Sequence, residues 1–114
     1  MQPQTVRINL QYDRTELKQI LRYAKAHDLE RNGRYDFRKP PRLNIWTHTW
    51  SNPGCREESS LMFSLEFDWN TASLMSVTLQ PGYDWAIFLD ELAKLERAAL
   101  GDVVWGQRYC HGVQ

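Results

Sequence analysis

The 114-residue sequence predicts an α+β domain, a two-layer sandwich in which a mainly antiparallel sheet of four strands carries two helices on one face. Three observations point there. Stretches with an apolar residue at every second position alternate with two stretches of helical period. Short turn signals join successive strand-like stretches, which favours antiparallel pairing. Each helix-like stretch has one apolar stripe, as a helix lying on a sheet requires. The order is β-α-β-β-β-α, with a fifth strand if Val103-Val104-Trp105 pairs.

The first strand is Thr5 to Gln11, with Val6, Ile8 and Leu10 inward. Asp13, three residues before Glu16, forms a capping pair for a helix over 14–29. Leu17, Ile20, Leu21 and Ala24 make its apolar arc. Asn32-Gly33 and Pro40-Pro41 break both periods, so 30–42 reads as an irregular basic arm. A second strand spans 43–50, with Leu43, Ile45, Thr47 and Thr49 on one face and Asn44, Trp46, His48 and Trp50 on the other. Ser51-Asn52-Pro53-Gly54 is a turn. The strand at 60–69 sets Leu61, Phe63, Leu65, Phe67 and Trp69 against Ser60, Met62, Ser64, Glu66 and Asp68.

Asn70-Thr71-Ala72 is a hairpin connection into a strand at 74–80, which Pro81-Gly82 ends. Tyr83-Asp84 opens a helix to Leu100 whose buried stripe is Trp85, Phe88, Leu89, Leu92, Leu95 and Ala99, with Gly101 as its stop. Glu96 falls within that stripe, and a cation of the first helix is its expected partner. No repeat or linker divides the chain, so 1–114 reads as one domain with a mobile tail at 106–114.

A net charge of zero conceals a split. Residues 1–42 hold ten Lys/Arg against five Asp/Glu, and residues 43–114 hold four against nine. Such polarity favours oriented association with charged partners, including a second copy held by salt-sensitive contacts. Hydrophobic content of 42% and charged content of 25% are ordinary for a globular protein. No apolar run approaches the ~18 residues of a membrane span. The first residues carry no export signal, which sets the expectation of a cytoplasmic protein whose Cys55 and Cys110 are free thiols.

No motif of catalysis stands out. His27, His48, His111, Cys55 and Cys110 form no C-x-x-C, H-x-x-x-H or nucleophile elbow, and neither metal nor cofactor is expected. The order α-β-β-β-α over 14–100 resembles that of double-stranded-RNA-binding domains. Those domains carry a basic cluster at the start of the last helix, where Tyr83 to Phe88 here hold no cation, so membership does not follow.

The expected function is a non-enzymatic binding protein that docks onto a protein partner, of the inhibitor, immunity or adaptor type. Trp46, His48, Trp50 and Glu66, read as sharing an open sheet face, and Ile87 beside the acidic rim of the last helix are its contact residues. The first alternative is a nucleic-acid-binding module. Arg14, Lys18, Arg22 and Lys25 fall within about 80° on the first helix, and Arg34, Arg38 and Lys39 interleave with Tyr35 and Phe37 in the arm. The second alternative is a small-molecule-binding domain with its pocket between sheet and helices.

Overall fold

Alternating side chains and short chain reversals account for the computed structural model, which describes residues 2–27, 29, 40–50 and 59–101. The elements are β1 (Gln4–Gln11), α1 (Arg14–Ala26), β2 (Arg42–Trp46), β3 (Leu61–Asp68), β4 (Ser73–Leu79) and α2 (Trp85–Leu100). The four strands form one open antiparallel sheet in the order β1-β4-β3-β2. β2, β3 and β4 make a meander, and α1 carries the chain from the β1 edge to the β2 edge. This is the expected α+β arrangement. The segments 30–39, 103–105 and 106–114, assigned above to the arm, a fifth strand and a tail, lie outside the described residues.

The caps follow from the sequence. Asp13 Oδ1 accepts a 2.7 Å hydrogen bond from the Glu16 amide, and Glu16 Oε1 accepts one of 3.0 Å from the Asp13 amide. This reciprocal box satisfies two orphan donors at the start of α1. The helix ends at Ala26, earlier than the expected 29. The Leu29 amide donates to Ala24 O, and Leu29 O accepts from the Asn44 amide at 2.9 Å. The chain therefore leaves the helix to meet the edge of β2. In α2, Asp84 Oδ1 accepts from the Ile87 amide at 2.9 Å, and Gly101 ends the helix at φ 92°, a left-handed conformation suited to glycine.

Cross-strand register sorts the sheet into transverse rows that face alternate sides. Val6–Val77–Leu65–Leu43 form one row, and Leu79–Phe63–Ile45 another. These rows face the helices. They pack with Leu17, Ile20, Leu21 and Ala24 of α1 and Phe88, Leu92 and Leu95 of α2. Phe63 meets Phe88 and Tyr83 edge-on, each at a centroid distance of 5.5 Å. These side chains pack in the space between sheet and helices, the place that the second alternative gives to a pocket.

Two expectations need correction. The strand over 43–50 stops at Trp46. Thr49 Oγ1 donates to Trp46 O at 2.5 Å and accepts from the Trp46 amide at 2.9 Å, while His48 adopts φ 67°. The threonine hydroxyl thus captures the backbone polar groups locally, closing a turn. Trp85 is also not in the buried stripe. As the first residue of α2 it is 38% exposed, with its ring tilted against Phe88 at 5.0 Å. Among the described residues, no helix is long and apolar enough to cross a membrane.

Candidate functional site

The face of the sheet opposite the helices is polar, and its side chains enclose a trough of about 460 Å³ that draws on all four strands. Two rows build it. The first is Thr5–Thr78–Ser64–Asn44, and the second is Arg7–Ser76–Glu66–Arg42. Each row alternates with an apolar row facing the helices, so the trough is the polar half of the pattern that makes the core. Three sheet spacings of ~4.8 Å make the face about 14 Å wide.

Hydrogen bonds fix the hydroxyl row. Thr5 Oγ1 and Thr78 Oγ1 lie 3.0 Å apart, and Ser64 Oγ donates to Asn44 Oδ1 at 2.9 Å. In the charged row, Arg42 meets Glu66 at 2.7 Å. Arg7 faces the trough from the opposite edge and has no ion pair among the described residues. No aromatic ring is among the described lining residues. The chemistry on offer among the described lining residues is hydroxyl, amide, guanidinium and carboxylate hydrogen bonding beside apolar Pro3, Leu61 and Met75, without an aromatic platform for base or sugar stacking.

The expected contact residues are not gathered on this one face. Glu66 lies in the trough. Trp46 is half-buried at the end of β2, and His48 is exposed in the following turn. Trp50 sits on the helix side. Its ring stacks at 6.4 Å on Tyr23 of α1, and its Nε1 donates to Glu91 Oε2 of α2. Glu91 also accepts from Lys94 Nζ at 3.1 Å. Tyr23 stacks in turn on His27 at 4.0 Å. Burial raises the Tyr23 phenol above its ordinary value of 10. Ile87 is 38% exposed on α2, on the helix layer.

Arg14, Lys18, Arg22 and Lys25 are all exposed along α1, as the wheel requires. Arg34, Tyr35, Phe37, Arg38 and Lys39 lie outside the described residues. Arg7, Thr5, Ser76 and Thr78 escaped sequence reasoning as site residues. Their alternation with Val6, Val77 and Leu79 was visible, but nothing in the sequence says that β1 pairs with β4. Arg42, counted with the arm, belongs to β2 and its ion pair.

The fold and site define a small α+β domain with one helix-covered sheet face and one open, polar face. Comparison with known protein families, curated proteins and solved structures finds no match to this chain.

Proposed function

We propose that this protein is a non-enzymatic binding protein that docks onto a protein partner through the helix-free face of its sheet. One observation supports the reading above the others: a trough of about 460 Å³ spans all four strands and is lined by four hydroxyls, two amides, two guanidinium groups and a carboxylate beside apolar Pro3, Leu61 and Met75. A face this wide, with hydrogen-bonding groups from every strand, suits a polar and hydrated protein interface. Its residues differ from the Trp46, His48 and Trp50 set, because Trp50 is engaged by Tyr23 and Glu91 on the helix side. The reading assigns no reaction, and it sets the protein in a reducing cytoplasm with Cys55 and Cys110 as thiols.

The test is a pull-down from native host lysate at low and at moderate salt, with wild type and Ser76→Tyr in parallel. Ser76 faces the middle of the trough, so the added ring blocks the face without entering the core. Protein retained by wild type at moderate salt and lost with Ser76→Tyr supports the reading. Equal capture by both variants overturns it.

A second reading has its own observation: four cations exposed along α1, at Arg14, Lys18, Arg22 and Lys25. Such a stripe neutralises phosphates, and binding through it weakens steeply with salt. Nucleic acid captured only at low salt, and lost with Arg22→Ala, supports it.

A further inference from the structure

We infer that the occupant of the helix-free face is an acidic segment of another protein, with a side-chain carboxylate on Arg7 and its backbone along the row Thr5–Thr78–Ser64–Asn44. The inference rests on the docking reading above and names the chemistry of the partner.

Charge complementarity is the first support. Among the described residues, Arg7, Arg42 and Glu66 are the charged side chains lining the trough. Arg42 and Glu66 neutralise each other at 2.7 Å, which leaves a single positive charge, at Arg7, among the described residues of the face. Ser76 is the cross-strand neighbour of Arg7, and its hydroxyl is uncommitted among the described residues. Directly opposed residues lie ~5 Å apart at their Cβ atoms, a spacing that one carboxylate bridges with an oxygen on each donor. Glu66, on the far side of Ser76, repels a second acid and confines the charge to the Arg7 end.

The lining also selects against other partners. Stacking on unpaired bases or sugars is commonly done by aromatic rings, and none lines the trough among the described residues. A second copy of this chain fits poorly. The exposed acids of α2, Asp84 and Asp90, lie on the helix layer, and Asp84 is held as the helix cap. Joining that layer of one copy to the trough of the next makes a head-to-tail contact, which gives a ring or a filament and not the two-fold dimer commonest among small proteins. A foreign acidic chain meets no such constraint.

The experiment maps amide and guanidinium chemical shifts of the full chain during titration with poly-L-aspartate, a neutral Gly-Ser peptide and poly(U) RNA. Poly-L-aspartate is expected to shift Thr5, Arg7, Ser76 and Thr78. Arg7→Ala is expected to weaken it about tenfold, the loss of one charge-assisted contact. Glu66→Gln, which frees Arg42 and removes the competing acid, is expected to tighten it several-fold. Shifts confined to Arg14, Lys18 and Arg22 of α1, no binding of poly-L-aspartate, or an Arg7→Ala variant that binds like wild type overturns the inference. Equal shifts of the face by the Gly-Ser peptide overturn the acidic preference and leave the docking reading standing. That reading fails separately, when Ser76→Tyr captures the same protein as wild type.

Discussion

The Tyr12 hydroxyl donates a 2.6 Å hydrogen bond to Glu96 Oε2, joining the end of β1 to the buried face of α2 across 84 positions of sequence. Both residues are buried, Tyr12 at 3% exposure and Glu96 at 0%. The distance lies within the range of O–H···O hydrogen bonds, and a carboxyl oxygen buried this deeply needs such a partner. The Tyr12 amide donates to Ala72 O at 2.9 Å, and the ring lies 6.3 Å from Phe67. One residue thus holds α2, the β3–β4 turn and the core together.

Tyr12→Phe isolates the hydroxyl, because ring and backbone contacts remain. The variant withdraws a donor from a buried carboxylate and is expected to cost about 1–3 kcal/mol. Urea unfolding checks this: the midpoint falls while the slope is unchanged, since the area buried is the same.

Trp50 is expected to contribute to stability. Its ring bridges Tyr23 of α1 and Glu91 of α2, the two elements of the helix layer. Trp50→Phe, which removes the indole donor and retains a ring, is expected to cost about 1 kcal/mol. Trp50→Ala is expected to cost more, but less than the roughly 3–5 kcal/mol of a fully buried ring, because this one is half-buried. Unfolding followed by far-ultraviolet circular dichroism measures both variants without relying on tryptophan emission.

The same cluster predicts a loss of stability in alkali. Burial raises the Tyr23 phenol above its ordinary value of 10, so the folded protein holds this proton more tightly than the unfolded chain. The contribution is fully present below that ordinary value. It is lost as pH rises from there through the folded-state value, where the unfolded chain has already shed its proton. Tyr23→Phe is expected to flatten the decline. Trp50→Ala, by uncovering the ring, is expected to move the phenolate titration seen by ultraviolet absorbance back toward 10.

Local signals were legible in the sequence, and long-range ones were not. Asp13 and Glu16 declare the start of α1 because both partners lie within one turn. Alternation in β1, β3 and β4 sorts apolar from polar faces because a strand has period two. The same rule misleads at Trp46 to Trp50. Alternation there imitates a strand, while the Thr49 hydroxyl closes a turn and sends Trp50 to the helices. The reading of Glu96 looked to the cations of α1, and the tyrosine hydroxyl found on it comes from the residue after β1. The row Arg7–Ser76–Glu66–Arg42 depends on three pairings at once, and no single segment encodes it.

Adjacent rows of the sheet are expected to answer mutation in opposite ways. Arg42 and Glu66 form an ion pair with side-chain exposures of 47% and 27%, so water already screens it. Arg7 is exposed and lacks an ion pair among the described residues. Arg7→Ala, Arg42→Ala and Glu66→Gln should each change unfolding free energy by no more than about 1 kcal/mol. Leu65, next to Glu66 on β3, points the other way and is 1% exposed between Val77 and Leu43. Leu65→Ala leaves a cavity in a packed core and should cost roughly 2–5 kcal/mol. Parallel urea unfolding of the four variants checks the alternation. A large loss in the three polar variants would mean that the trough side chains support the fold, and binding defects in those variants would then report unfolding. A small loss makes them clean instruments for testing what the open face holds.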